Sequence, residues 1–548
     1  MNNIHFKCVQ SSFLSISIVV AFAILLALSM VLPRVALANP VSRGGAGCEA
    51  LTDLAITDAT PLAVTAVRFD EASRPRIKTA SGEAGLPDYC RVRAAVLPEI
   101  NFELRMPLND WNGKFYMAGC GGFCGKVLAD RPGYSNAINV ALVRNYAAVT
   151  SDAGHWSPHG ADGVWAYNNR SAEIDYSYRV IPEVARVSKA IIAAFYGAGE
   201  SHSYFSGCSN GGRMGALAIQ RYPDLFDGVL VGAPALDWRT LAMYSSWVMK
   251  ANMDENGKLI FDYRKTALLS RAVMAHCDAS DGLVDGQITD PRQCDFDPSV
   301  LQCPDRKNGP GENGLECLTT AEVQIVEKWY GGLPNTHGAD WPYKIPLGSE
   351  PYWPRWLTPK PGRPGAFYLF GDALHKYIIR EQDPGPGYSP VDMDLDRYPV
   401  ELDYMRELYR ADNPDLSAFR DAGGKAIFYQ GWADPAAVPE MTIGYYEDAR
   451  EKMGGQSETD KFLRLFMIPG AGHCWESPHP VPDIFNPIEV LENWVEEGVA
   501  PARIDVKQHD EAGNTIRSRP LCSYPGIASY KGSGNIDEAS NFSCQSAR

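Results

Sequence analysis

Ser203-Tyr204-Phe205-Ser206-Gly207-Cys208-Ser209-Asn210-Gly211-Gly212 is the stretch whose reading decides the fold. The first four residues read as a short strand, and Gly212 to Tyr222 as a helix. Between them, Gly207-x-Ser209-x-Gly211 fits a sharp strand-to-helix turn in which small residues let the chain fold back and expose a serine hydroxyl. In a chain with 50 glycines the pattern alone is weak. Its position gives it meaning, because amides at a helix N-terminus favour a developing negative charge. A glycine-rich structural turn is the alternative.

Outward from this point, strands and helices alternate. Lys114-Phe115-Tyr116-Met117, Ala147-Ala148-Val149-Thr150 and Gly228-Val229-Leu230-Val231-Gly232 read as strands, and Glu183 to Phe195 as a helix. Such an order predicts an α/β protein with a mostly parallel sheet and helices on both faces. The pattern breaks at about residue 240. From there to about 417 the chain is rich in Pro, Gly, Trp and Tyr and holds four clustered cysteines, which predicts an inserted lid domain over 241–417. The alternation resumes with Lys425-Ala426-Ile427-Phe428-Tyr429, Phe462 to Met467 and a helix near Ile488 to Glu497. The sheet domain is therefore expected to be split into 39–240 and 418–548.

A serine hydroxyl becomes a useful nucleophile only when a base takes its proton and a carboxylate orients that base. Two strand ends after the insertion offer these groups. Asp434 follows one in Gly431-Trp432-Ala433-Asp434-Pro435, and His473 follows the next in Pro469-Gly470-Ala471-Gly472-His473-Cys474. The order Ser, acid, His and the carboxyl-end placement suit an open parallel sheet. Asp434 as a turn former before Pro435, and His473 as an ordinary core or surface side chain, are the plainer readings. Cys208 adjoins Ser209 and Cys474 adjoins His473, so bringing serine and histidine together makes a Cys208–Cys474 bridge feasible.

The chain ends and composition bound the class. Lys7 precedes an uncharged stretch from Cys8 to Pro33, and Ala36-Leu37-Ala38 is a small-x-small cleavage pattern, so residues 1–38 read as an export signal. Retention as an N-terminal anchor is the alternative, since the apolar stretch is long enough to span a bilayer. Cleavage leaves 510 residues with 49 basic and 66 acidic side chains, a formal charge of −17 that argues against nucleic acid as a partner. Loss of Cys8 leaves twelve cysteines, an even number that suits an oxidising, secreted or periplasmic location.

Taken together, Gly207-Cys208-Ser209-Asn210-Gly211-Gly212, Gly431-Trp432-Ala433-Asp434-Pro435 and Gly472-His473-Cys474 resemble the tannase and feruloyl esterase family, which also includes the hydrolase of mono(2-hydroxyethyl) terephthalate. The resemblance runs from about Trp111 to the C-terminus. It implies an α/β-hydrolase fold with an inserted lid, a Cys208–Cys474 disulfide, and hydrolysis of esters of aromatic acids, whether galloyl, feruloyl or related hydroxycinnamoyl, or terephthaloyl. A noncatalytic hydrolase-fold binding protein is the reading from another class, and it leaves the serine, acid and histidine unexplained.

One oxyanion donor is expected from the amide of Asn210, after the serine. The other is expected from Gly121, in Gly119-Cys120-Gly121-Gly122-Phe123-Cys124-Gly125, which resembles the family's oxyanion loop; Cys120 and Cys124 are placed to bridge locally. The run Cys277 to Gln287 holds three carboxylates. By composition alone it reads equally as a solvated turn or a calcium loop. The resemblance implies a structural calcium ion held by Asp278, Asp281, Asp285 and the carbonyls of Leu283 and Gln287, and no catalytic cofactor. The lid aromatics Trp341, Tyr352, Trp353, Trp356 and Tyr368 are candidates for the wall that receives a flat acyl ring, or for lid core.

Overall fold

The computed structural model describes residues 47–79, 82–304, 315–333, 343–394, 402–475, 487–510 and 512–546. The expected export signal over 1–38 and Trp341 lie outside them.

Nine strands form the central sheet: β1 (Ala59–Val67), β2 (Tyr89–Val96), β3 (Ile100–Pro107), β4 (Lys114–Ala118), β5 (Ala147–Ser151), β6 (His202–Cys208), β7 (Gly228–Gly232), β8 (Lys425–Gly431) and β9 (Leu463–Ile468). Their order across the sheet is β1-β2-β3-β5-β4-β6-β7-β8-β9. The pairings from β5 through β4 to β9 are all parallel, as the alternation with helices predicts. The first three strands add an antiparallel margin, so the sheet is mixed. That margin hides in the sequence because charge interrupts its apolar pattern. Glu103 is buried on β3 and accepts hydrogen bonds from Arg93 of β2 (2.7 Å) and from the equally buried Arg105 (2.8 Å).

Alternate residues of the parallel strands feed two separate cores, the expected consequence of a period of two. Phe115, Met117, Phe205, Val229 and Phe428 join one core with α1 (Val180–Tyr196) and α2 (Asn210–Arg221). Tyr116, Tyr204, Leu230, Ile427 and Phe466 join the other with Ile488, Leu491 and Trp494. The strands are thus apolar on both faces, as buried parallel strands must be.

β7 and β8 are neighbours in the sheet, yet residues 233–424 lie between them in sequence. Among the described residues this intervening segment is built mainly of helices and contributes no strand to the central sheet. The expected boundary at 241 falls within its first helix, α3 (Trp238–Ala251). This helix packs on α4 (Ala366–Tyr377), where Ser246 Oγ and His375 Nε2 lie 2.6 Å apart in the interior. The twelve described cysteines form six disulfides: 48–90, 120–124, 208–474, 277–294, 303–317 and 522–544. No helix among the described residues is long and apolar enough to cross a membrane.

Glu350 is fully buried, with one carboxylate oxygen accepting from Tyr330 Oη (2.8 Å) and the Gly348 amide (3.0 Å). Burial pushes its pKa up to about 7. In the unfolded chain an ordinary glutamate loses its proton near pH 4.5, so between there and about 7 the folded state binds more protons and stability falls as pH rises. Glu350→Gln removes this dependence. Relative to the unsubstituted protein, its melting temperature should therefore improve between pH 5 and pH 8; parallel curves would contradict the assignment.

Candidate active site

The candidate groups converge at the carboxyl ends of the parallel strands. Ser209 stands between the end of β6 and the start of α2, with φ 63° and ψ −123°. A serine in this region carries backbone strain, and the turn is held by close approach of its neighbours. A Cβ on Gly207 would lie 2.3 Å from the Gly211 carbonyl oxygen, so glycine is required there. The Ser209 amide donates to the Gly232 carbonyl of β7 (3.0 Å), and its own carbonyl accepts from the Arg213 amide (2.9 Å).

Under the turn lies Arg213, which is fully buried. Its guanidinium packs beside the rings of Tyr176 and Trp238 and donates to the carbonyls of Tyr176, Ser177 and Tyr409. Burial pushes its pKa down. Its Nε also donates to Asn210 Oδ1 (2.8 Å), and Asn210 Nδ2 in turn donates to the Cys120 carbonyl (3.2 Å). The chain from Arg213 through Asn210 thereby fastens the glycine-rich loop to the serine turn. That loop is further tied by the Cys120–Cys124 disulfide and by Tyr176 Oη donating to the Gly122 carbonyl (2.9 Å).

Asp434, in the loop after β8, is fully buried, and its Oδ2 lies 2.8 Å from His473 Nδ1. The same oxygen accepts from Gln430 Nε2 (3.0 Å), while Oδ1 accepts from the amides of Ala436 (2.8 Å) and Ala437 (3.0 Å). Gln430 is itself oriented by Thr442 Oγ1 at 2.8 Å. These donors hold the carboxylate in place with Oδ2 toward His473 Nδ1, so that it orients the imidazole ring. His473 also meets the edge of Trp356, with ring centroids 5.1 Å apart and planes at 82°.

Ser209, Asn210, His473, Gly121 and Gly122 line one cavity of about 480 Å³. Its walls are largely apolar, including Leu241, Trp356, Phe367 and Phe370, and its lining also contains Arg131 and Arg355. Of the aromatics singled out in the sequence, Trp356 lines this cavity. Trp353 is instead core against Trp329 and Phe261, and Tyr352 supports the histidine loop through Oη donating to the Gly470 carbonyl (2.7 Å). Tyr368 is half-buried beside Asn252, 3.4 Å from its Nδ2.

Cys208 and Cys474 are joined, with Cα atoms 5.8 Å apart across 266 positions of sequence. The acidic run is folded on itself. Asp278 Oδ1 accepts from the amides of Asp285, Gly286 and Gln287, and Asp281 accepts from the Leu283 amide and Thr289 Oγ1. Asp285 pairs with Arg519 (2.5 Å), which ties the loop to a C-terminal strand. Among the described residues, no three acidic, histidine or cysteine side chains converge as a metal cage. The oxygen-only donor set is nonetheless of the type a hard cation takes. Sequence reasoning missed Arg213, Gln430 and Asn136. Nothing local marks them, because their partners are main-chain groups and side chains brought near by the fold.

A family model described as tannase and feruloyl esterase matches residues 85–350 and 387–545. The chain belongs to the tannase and feruloyl esterase family. It is 31% identical over 504 residues to an uncharacterized esterase of Xanthomonas campestris pv. campestris, with 84% of each chain covered. It is also 31% identical over 561 residues to the mono(2-hydroxyethyl) terephthalate hydrolase of Piscinibacter sakaiensis, with 91% of each covered. The crystal structure of feruloyl esterase B from Aspergillus oryzae superposes with a TM-score of 0.79 at 26% identity, covering 91% of this chain and 100% of that one. Like other members of the tannase and feruloyl esterase family, this α/β-hydrolase-fold protein is a carboxylic ester hydrolase.

Replacing Cys208 and Cys474 together by serine removes a closed loop whose chain-entropy contribution is on the order of 5 kcal/mol. Well below the melting temperature of the variant, kcat should still fall by about tenfold or more, because serine turn and histidine loop lose their tether. Undiminished kcat at that temperature would show the bridge to be a stabilising link only.

Proposed function

We propose that this hydrolase is a secreted serine esterase that cleaves esters of aromatic acids through an acyl-enzyme. Ser209 attacks the ester carbonyl while His473 takes its proton, Asp434 holds the imidazole, and the amides of Gly121 and Asn210 receive the oxyanion. The histidine then protonates the departing alcohol. Water, deprotonated by the same histidine, attacks the acyl carbon, and the aromatic acid leaves as Ser209 regains its proton. The observation that carries this reading is the 2.8 Å contact of buried Asp434 with a histidine lining the same cavity as the strained serine. Trp356, Phe367 and Phe370 in the wall support a flat acyl group. The proposal keeps 1–38 as an export signal and 241–417 as a lid over the cavity.

A terephthalate monoester is the second reading. It is favoured by 31% identity to the Piscinibacter sakaiensis hydrolase and by Arg131 and Arg355 in the lining, which suit a second, free carboxylate. Comparing kcat/KM on methyl gallate, methyl ferulate and mono(2-hydroxyethyl) terephthalate separates the acyl groups. Ser209→Ala should abolish turnover and acyl-enzyme formation with an unchanged circular dichroism spectrum. Residual turnover near the wild-type rate would overturn the nucleophile assignment.

Calcium belongs to the proposal on donor chemistry. Asp278, Asp281 and Asp285 with the carbonyls of Leu283 and Gln287 would hold it, and its contribution would be to stabilise the loop. Chelation with EGTA should lower the melting temperature and added calcium restore it. A melting curve indifferent to both would leave the loop to Arg519 and its own hydrogen bonds.

A further inference from the structure

Asn136 lies in none of the sequence motifs, yet it occupies the junction between serine turn and glycine-rich loop. β4 pairs with β6 as far as Ala118 opposite Ser206, and the Gly119 amide still donates to the Ser206 carbonyl at 2.9 Å. There the chain leaves for the glycine-rich loop. Cys208, two residues further along β6, keeps β7 on one side, where it stands opposite Gly232. On the other side it has lost its strand. A buried amide and carbonyl left without partners there would destabilise the turn.

The carboxamide of Asn136 fills the missing place. Its Oδ1 accepts from the Cys208 amide (3.0 Å) and its Nδ2 donates to the Cys208 carbonyl (3.1 Å). One side chain thus extends the sheet by one residue up to the serine. Asn136 is buried and has φ 54°, a conformation that asparagine tolerates better than most residues. The fit around it is close. A Cβ on Gly211 would lie 2.1 Å from its Oδ1, and one on Gly121 3.3 Å from its Nδ2. The carboxamide is therefore wedged between the first turn of α2 and the loop carrying Gly121, and it borders the cavity.

We propose that Asn136 is a positioning residue for ester hydrolysis. By clamping both main-chain groups of Cys208 between Gly121 and Gly211, it fixes the strained Ser209 turn against the amides of Gly121 and Asn210. The inference rests on reading Ser209 as the nucleophile. A turn already strained at Ser209 relaxes once the preceding peptide is released, and a displacement of about 1 Å at a reacting atom costs on the order of a hundredfold in rate. Substrate affinity, set by the apolar wall, is not the quantity the clamp controls.

The test compares wild type, Asn136→Ala and Asn136→Ser in inactivation by a fluorophosphonate, with the adduct mapped by mass spectrometry. Steady-state kcat and KM on a p-nitrophenyl ester and melting temperatures are measured alongside, and all rates are taken well below the lowest melting temperature. The alanine variant should show phosphonylation and kcat reduced by on the order of a hundredfold, with KM within about threefold. Serine, which keeps one donor and acceptor, should recover part of the loss and carries the comparison by itself if alanine does not fold. A variant phosphonylated at the wild-type rate, or a loss that falls on KM, overturns the inference while leaving the nucleophile assignment standing. Absence of the adduct from Ser209 in the wild type overturns both.

Discussion

The strained, positive-φ conformation of Ser209 is the constraint to which the neighbouring structure answers. An unsupported serine would relax into the α or β region, and the turn would open. Three kinds of contact prevent this: the β7 carbonyl that takes the Ser209 amide, the glycines that let α2 start against the strand, and the Asn136 carboxamide beside Cys208. Each belongs to a different part of the sequence, so the turn is a product of the completed sheet. Buried Arg213 plays the complementary part from below. It satisfies three main-chain carbonyls and directs Asn210 toward the glycine-rich loop.

The acid and histidine form a second unit with its own supports. Asp434 is supplied with donors from Gln430 and two amides, and Tyr352 holds the histidine loop at Gly470. The two units meet through the Cys208–Cys474 bridge and the shared cavity. Parallel pairing of β6 through β9 is what aligns them, since it puts every one of these loops at the same end of the sheet.

The strands that carry the candidate site were readable because each is a short apolar run followed by glycine or a small residue. Ser209, Asp434 and His473 stand out for that reason, and the cysteines beside two of them sharpened the reading. The antiparallel margin was not readable, because Arg93, Glu103 and Arg105 look like solvated charges until their mutual pairing is seen. The aromatics between β7 and β8 were a similar case. Trp353 and Trp356 are three residues apart on one short helix and both are buried, yet the first packs against Trp329 and Phe261 while the second also borders the cavity. Asn136 and Gln430 are polar residues among many, and only the main-chain groups and side chains they meet give them meaning.

The bridge between Cys208 and Cys474 also orders events in time. Synthesis proceeds from the amino end, so Cys208 emerges long before Cys474, with 266 positions separating the two cysteines. A chain halted before residue 473 in that interval carries Ser209 and Cys208 without Cys474 or His473. Ser209, Asp434, His473 and the bridge that joins their loops thus come together only once the chain has grown past Cys474, and a product that ends before that residue cannot bring them together.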